Sequence, residues 1–342
     1  MLSISIISAC NNNCDYCFQK DSYHTLNAML SYDEVMDIAK WGNKSQTIGI
    51  LGGEPTLHPD CIRICQDVSK QNRVCMLTNL LCDTKILEEL LLTTRMGWLI
   101  NTTTRDSLKP LFEENAIFLN KVSELNDCKF TFGITLTGNF EQDVKFIDNL
   151  IRIGKKYPYM VGWYRIAFAT PCHDKIYKLK SYNKSILYFY KKSKKDTPEI
   201  PYMFDCLVNS CYMSDETFLK IIKDTRMYNY NNSCCYEPRV DVLVDKTVNY
   251  CSSCPDWLFE KKYYTDFQDW EECSAYFLKA IKQFNKKHSE FYCKKTKFCT
   301  NKSCSGICVA IAANLLMQEK KLSNFTQSMH EFRYNLINKL GL

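Results

Sequence analysis

Three cysteines lie within eight residues near the start of the chain, spaced C-x3-C-x2-C at Cys10, Cys14 and Cys17. Three thiolates at this spacing can bind one metal centre and leave one of its coordination positions without a protein ligand. An open position suits a catalytic site, whereas a structural site is usually closed by four protein ligands. The alternative interpretation is a structural zinc site with His24 as the fourth ligand.

A second motif, Gly52-Gly53-Glu54-Pro55, follows the next predicted strand along the chain. Glycine lets the backbone approach a ligand closely, and a carboxylate such as Glu54 can accept a hydrogen bond from an ammonium group. In α/β proteins ligands bind at the carboxyl ends of the strands. We therefore expect both motifs to lie at one edge of a sheet, on neighbouring strands.

Strand and helix patterns alternate through the first half of the chain. Strands are predicted at 3–9, 47–51, 74–78, 98–103, 130–137 and 160–169, and helices at 31–41, 60–70, 83–94, 108–122 and 142–155. Ser31 and Glu34 have the spacing of a capping box at the start of the first helix. Such alternation predicts an α/β fold with a parallel sheet, either open or curled into part of a barrel.

Composition limits the class of protein. The chain has 342 residues with 46% hydrophobic content, which excludes a wholly disordered chain and predicts about two domains. Lysine and arginine exceed aspartate and glutamate by 44 − 38 = 6, a mild excess without a strong nucleic-acid signal. No apolar run is long enough to cross a membrane, and the N-terminus lacks the basic region of a signal peptide. We expect a cytoplasmic protein.

The 20 cysteines are unusual for a protein of a reducing compartment, where structural disulfides are uncommon. Such a number indicates metal-binding or iron–sulfur sites. Five cysteines in or beside apolar periodic segments are instead expected to act as small hydrophobic residues in the core: Cys61, Cys65, Cys75, Cys82 and Cys128.

The two motifs together resemble those of the radical S-adenosylmethionine (SAM) enzymes, over about residues 3–171. The matching residues are Cys10, Cys14 and Cys17, with aromatic Tyr16 before the last cysteine, and then residues 52–55. The resemblance implies a partial (β/α)6 TIM-like barrel. It also implies that the three cysteines hold a 4Fe-4S cluster whose fourth iron is chelated by SAM.

The same resemblance assigns further residues to SAM binding. It places Tyr16 near the adenine, lets Gly52, Gly53 and Glu54 bind the methionine ammonium group, and counts Pro55 among the residues of the SAM site. The ends of the fourth to sixth strands would face the rest of SAM, with Thr102, Thr104 and Arg165 as candidates. Plain strand polarity is the alternative for the two threonines, and a structural ion pair is the alternative for Arg165.

The chemistry that the resemblance implies is radical formation. One electron cleaves SAM into methionine and a 5′-deoxyadenosyl radical, which abstracts hydrogen from a substrate. The chain would then be an oxidoreductase that needs an electron donor such as flavodoxin or ferredoxin.

The C-terminal half resembles the SPASM/twitch extension of this superfamily, which holds auxiliary iron–sulfur clusters. The expected domains are the barrel at 1–195, a cysteine-rich auxiliary-cluster domain at 196–310 that is poor in helical periodicity, and terminal helices at 311–342. A hairpin predicted at 239–250 lies between two candidate ligands. The candidate ligands are Cys235, Cys251, Cys308, Cys304, Cys299, Cys206 and Cys211. Because no cysteine follows Cys308, one auxiliary cluster is expected rather than two, with structural zinc as the alternative.

Three classes of function follow. The first is a radical SAM enzyme that modifies a residue of a ribosomally made peptide by crosslinking, thioether formation, epimerisation or oxidation. The second is a small-molecule dehydrogenase or a sulfatase-maturase-like oxidase, and the third is a zinc-binding protein without catalytic activity. With the first cysteine at residue 10, no N-terminal winged-helix leader-recognition domain is expected.

Overall fold

The computed structural model describes residues 1–14, 16–17, 28–43, 45, 47–103, 106–169, 181–204, 214–227, 239–251, 254 and 259–288. The strands are β1 Leu2–Ile7, β2 Thr47–Gly52, β3 Arg73–Thr78, β4 Gly97–Asn101, β5 Phe130–Leu136, β6 Val161–Phe168, β7 Tyr202–Phe204, β8 Val240–Val242, β9 Thr247–Asn249 and β10 Lys262–Tyr263. The helices are α1 Tyr32–Trp41, α2 Cys61–Ser69, α3 Thr84–Thr93, α4 Lys109–Asn126, α5 Phe140–Lys156, α6 Tyr182–Asp196, α7 Asp215–Ile222 and α8 Trp270–His288.

All ten strands belong to one sheet in the order β10-β9-β8-β1-β2-β3-β4-β5-β6-β7. Strands β1 to β7 pair in parallel, and β8 also runs parallel to β1. The prediction of a mostly parallel α/β fold of the partial-barrel type is therefore confirmed, and the sheet is not closed. The carboxyl ends of parallel strands all lie at the same edge of a sheet. The candidate site lies at this edge.

The core lies between the sheet and the helices. Along β5 and β6 the buried side chains alternate with half-buried ones, so Phe132, Ile134, Tyr164 and Ile166 face the helices. Tyr164 packs edge-on against Phe189 of α6 at 6.2 Å between ring centroids. The side chains on the opposite face of these strands are only half-buried, which leaves a surface on which a ligand can bind.

The first helix begins as its sequence predicts. Ser31 accepts a hydrogen bond from the Glu34 N–H, and the Glu34 carboxylate accepts one from the Ser31 N–H. This reciprocal pair satisfies two backbone donors that would otherwise lack partners at the helix start.

The predicted hairpin at 239–250 is also present, since β8 and β9 pair antiparallel. It adds to the sheet beside β1, where Leu2 pairs with Val240. Residues 196–310 therefore supply strands to the same sheet as the barrel, and the domain boundaries at 196 and 310 stay a prediction.

The expectation that residues 196–310 are poor in helical pattern is wrong for α7 and α8. In α8 the side chains of Cys273, Phe277 and Ile281 are fully buried at four-residue spacing. Four-residue spacing places side chains on one helix face, so Cys273 contributes to the core there.

The cysteines predicted to be hydrophobic residues differ in their surroundings. Cys61, Cys65 and Cys82 are buried in the core, as predicted, whereas Cys75 and Cys128 are half-buried. Within the described part of the chain, no helix is long and apolar enough to cross a membrane.

Candidate functional site

The cysteine loop leaves the sheet at the carboxyl end of β1. A register shift between Ser5 and Ile7 marks this end of the strand, and such irregularities redirect the chain next to functional sites. Cys10, Cys14 and Cys17 are all half-buried, and the Cys17 N–H donates to the Cys14 carbonyl at 3.1 Å. The loop therefore places three sulfurs at the sheet edge that binds ligands in this fold class.

Residues 52–54 hold the base of this loop through backbone hydrogen bonds. The Gly53 N–H donates to the Ile7 carbonyl at 2.7 Å, and the Glu54 N–H donates to the Ala9 carbonyl at 2.9 Å. A Cβ on Gly53 would lie 2.2 Å from the Ala9 oxygen, and one on Gly52 would lie 2.3 Å from the Ile7 oxygen. These glycines therefore allow close contact with the backbone of the cysteine loop. The sequence had suggested close contact with a ligand instead.

Gly53→Ala should displace the cysteine loop, because the added methyl group overlaps backbone atoms that cannot rotate away. We expect a loss of about 2–4 kcal/mol in the free energy of unfolding. Gly97→Ala is the matched control, since its Cβ would meet nothing closer than 3.7 Å. Chemical denaturation measures the free energy of unfolding of both variants and of the wild type. Equal stability of the two variants would contradict the role assigned to Gly53.

Glu54 is buried, and its carboxylate is hydrogen-bonded entirely by protein groups in the described structure. Its Oε1 accepts from the Thr56 N–H at 3.2 Å and from the Thr56 and Thr78 hydroxyls at 2.7 Å each. Its Oε2 accepts from the Asn79 N–H at 2.7 Å. Burial raises the pKa of Glu54, although these hydrogen bonds oppose the shift. The carboxylate joins the ends of β2 and β3, and its expected contact with SAM stays a prediction.

Asparagine side chains connect the cysteine loop to the ends of β3 and β4. Asn12 is buried, and its amide donates to the Thr103 carbonyl at 2.6 Å and to the Cys14 sulfur at 3.4 Å. The Asn11 amide donates to the Leu81 carbonyl at 2.6 Å. This network was not predicted from the sequence, in which its one signal is the run Asn-Asn-Asn between two candidate ligands.

Tyr16 is fixed between β4 and α5. Its hydroxyl accepts from the Asn101 amide at 3.2 Å, and its ring packs edge-on against Phe146 at 5.7 Å between centroids. Burial is the main cause that raises the pKa of Tyr16 well above its ordinary value, so the phenol stays neutral. The ring is therefore a rigid neutral surface at the sheet edge.

Of the remaining predicted SAM contacts, Thr102 directly follows β4, whereas Arg165 lies in the middle of β6 and not at its end. Thr102 is buried and bonded within the sheet, since its hydroxyl donates to the Gly133 carbonyl at 3.2 Å. Its own carbonyl accepts from Asn149 of α5 at 2.8 Å. Arg165 is half-buried and pairs with Gly133 in the neighbouring strand. Thr104 lies outside the described residues.

Of the auxiliary-cluster candidates, only Cys251 belongs to the described part of the chain. It is half-buried and packs against the core, and its carbonyl accepts from the Cys254 N–H at 2.8 Å. The other six candidates lie outside the described residues: Cys206, Cys211, Cys235, Cys299, Cys304 and Cys308.

Among the described side chains, no group of three or more His, Cys, Asp or Glu is gathered around one point as a single ion requires. A tetrahedral zinc ion needs its ligands within about 2.0–2.3 Å of one atom. A 4Fe-4S cluster takes each cysteine on a different iron, so its ligands need not converge in this way. Three cysteines on one loop, two of them with hydrogen-bond donors at sulfur, fit the cluster.

Comparison with known proteins identifies the domain that contains the candidate site. A sequence model described as the radical SAM superfamily matches residues 4–112, which include the cysteine loop and residues 52–55. The chain carries a radical SAM domain. It is therefore an enzyme of the class that binds a 4Fe-4S cluster and SAM. No curated protein sequence matches the chain.

Solved structures share the fold of this chain. SuiB of Streptococcus suis bound to S-adenosylmethionine is 15% identical with a TM-score of 0.59, and the match covers 96% of this chain and 76% of SuiB. Native anSMEcpe with bound AdoMet is 16% identical with a TM-score of 0.55, and the match covers 99% of both chains. SuiB bound to its precursor peptide SuiA is 14% identical with a TM-score of 0.52, and the match covers 78% of this chain and 62% of SuiB. At these identities the likeness concerns the fold.

Proposed function

We propose that this radical SAM enzyme holds its cluster on Cys10, Cys14 and Cys17 and acts on a residue of a ribosomally made peptide. When bound, the cluster supplies the electron that cleaves SAM to methionine and a 5′-deoxyadenosyl radical. Hydrogen abstraction from the peptide then permits a crosslink, a thioether, epimerisation or oxidation. The contribution of this chain is to position the reactants and to exclude water.

The observation that carries the proposal is the attachment of the cysteine loop to the second motif. The backbone hydrogen bonds from Gly53 and Glu54 to Ile7 and Ala9 fix the loop against the end of β2. Glu54 extends the attachment to the end of β3. The site is therefore built on three adjacent parallel strands, which gives the rigid positioning that radical chemistry requires.

The half-buried face of β5 and β6 supports binding of an extended substrate beside this site. On β5 and β6 the half-buried side chains of Thr135, Trp163, Arg165 and Ala167 point away from the helix layer, as the alternation with buried neighbours requires. These residues combine a hydroxyl, an aromatic ring and a cation. Such a surface suits an extended peptide with polar side chains.

Two further observations favour a peptide. The fold relative SuiB has been solved with its precursor peptide SuiA. In addition, the net charge of +6 suits an acidic leader segment. A reduced flavodoxin or ferredoxin is the proposed electron donor.

The test uses synthetic peptides encoded by short reading frames next to the gene. The anaerobically reconstituted enzyme is incubated with SAM, dithionite and each peptide, with a scrambled peptide as the control. We expect 5′-deoxyadenosine together with a mass change, or deuterium uptake from D2O, in one peptide only. Formation of 5′-deoxyadenosine coupled to a small molecule, or to a serine or cysteine of a folded protein, would replace the peptide proposal.

Residues 196–310 are proposed to hold one auxiliary cluster, with Cys251 as one of its ligands. Reconstituted wild-type protein should then bind about eight irons, and a variant lacking Cys10, Cys14 and Cys17 about four, at four irons per cluster. Iron and zinc analysis distinguishes the alternatives. Bound zinc in an iron-free variant would indicate the structural zinc site, and eight irons would indicate two auxiliary clusters.

A further inference from the structure

Two buried asparagines donate hydrogen bonds to the candidate cluster ligands. The Asn12 backbone N–H donates to the Cys10 sulfur at 3.4 Å, and its side-chain amide donates to the Cys14 sulfur at 3.4 Å. The Asn79 amide, at the end of β3, donates to the Cys10 sulfur at 3.8 Å. Both asparagines are less than 10% exposed, at 3% and 7%.

The orientation of both amides is fixed by their other partners. The Asn12 nitrogen faces the Thr103 carbonyl at 2.6 Å, which can only accept a hydrogen bond. The Asn79 oxygen accepts from the Leu81 N–H at 2.9 Å, so its nitrogen must point towards Asn11 and Cys10. The amides therefore present N–H groups, and not oxygens, to the sulfurs.

From this geometry we propose that Asn12 and Asn79 raise the reduction potential of the cluster; this inference rests on the proposed ligand role of Cys10, Cys14 and Cys17. Reduction adds negative charge, part of which is carried by the cysteine sulfurs. An N–H donor directed at a sulfur stabilises that charge, more strongly in a buried site than in water. The asparagines are positioning and tuning residues, since they act through the ligands.

The experiment compares Asn12→Ala, Asn79→Ala and the double variant with Asn13→Ala. Asn13 lies in the same loop but is exposed, so it is the matched control. Each protein is reconstituted without oxygen and poised at a series of potentials. The midpoint potential is read from the EPR signal that changes when SAM is added, because only the cluster that binds SAM responds in this way.

We expect the potential to fall in both single variants and to fall further in the double variant. A loss of about tenfold in the reduction equilibrium constant corresponds to about 59 mV for a one-electron couple. Asn13→Ala should keep the wild-type potential. The inference would be overturned if Asn12→Ala, Asn79→Ala and the double variant all carried full iron and had the same midpoint potential as Asn13→Ala.

Failure of the proposed function gives a different result. If the wild-type protein has no SAM-responsive signal, or keeps it after loss of all three cysteines, the ligand assignment itself is wrong. If Asn12→Ala fails to load iron, Asn79→Ala alone tests the inference, because Asn79 lies outside the cysteine loop and its replacement leaves the loop sequence unchanged. Asn12→Gln, which keeps the amide donor, should recover part of the wild-type potential.

Discussion

Replacing Cys10, Cys14 and Cys17 together with alanine should abolish the formation of 5′-deoxyadenosine from SAM under strong reductant. The proposed cluster has these three ligands, so their removal eliminates the group that donates the electron. The sulfurs are only half-buried, and the residues around them are held by backbone hydrogen bonds that alanine retains. The variant should therefore fold, and circular dichroism with product analysis by mass spectrometry checks both expectations.

A thiol elsewhere in the chain provides the control for this result. Cys128 is half-buried and lies outside both motifs, so Cys128→Ala should keep wild-type product formation. Wild-type rates in the triple variant would refute the assignment of the cluster ligands. Loss of activity in the control alone would show sensitivity to thiol removal that is unrelated to the cluster.

Glu54→Gln should lower the free energy of unfolding by about 2–4 kcal/mol and weaken SAM binding as the site loosens. The carboxylate oxygens accept from Thr56, Thr78 and the Asn79 N–H. The side-chain oxygen of a glutamine can accept the hydrogen bonds made to one carboxylate oxygen. Its NH2 group would then face the donors that bond to the other carboxylate oxygen. The effect should exceed that of losing one contact to a ligand, because buried donors are left without partners.

The matched control is Glu88→Gln on the exposed face of α3, for which the change should stay within about 0.5 kcal/mol. Urea denaturation and SAM titration measure both variants. If Glu54→Gln keeps wild-type stability and only loses SAM affinity, the carboxylate binds SAM directly, as the sequence resemblance implied.

The pH dependence of stability gives a second test of Glu54. Since burial raises its pKa above the ordinary 4.5, the folded state retains the proton at higher pH than the unfolded state. The contribution of this group to stability is therefore largest below pH 4.5 and decreases as the pH rises through the folded-state pKa. Glu54→Gln should lose this decrease. Identical slopes in variant and wild type would contradict a raised pKa.

The sequence predicted the parts of the fold that depend on local pattern. The capping box of Ser31 and Glu34, the first six strands and the adjacency of the two motifs all follow from periodicity and turn chemistry within short windows. The seventh strand, β7, was not predicted because its three residues are too few to show an alternation of apolar and polar side chains. Helix α8 was not predicted because one position of its apolar face, which includes Cys273, Phe277 and Ile281, is a cysteine, a residue type that also binds metals.

Long-range contacts were beyond sequence reasoning. The pairing of β8 with β1 joins residues more than two hundred positions apart, which no local pattern specifies. The same holds for Asn79, whose amide reaches Cys10 only because the ends of β1 and β3 lie at one sheet edge. Gly53 was identified as a candidate from its type, yet its close partner, Ala9, is visible only in three dimensions.

The proposal that a reduced cluster cleaves SAM is tested most directly by measuring the products formed from SAM by the wild-type protein. The enzyme is reconstituted with iron and sulfide, reduced with dithionite and incubated with SAM in the absence of oxygen, and the products are measured by mass spectrometry. We expect methionine and 5′-deoxyadenosine in equal amounts. Intact SAM in a sample whose reduced 4Fe-4S cluster is seen by EPR would contradict the proposal.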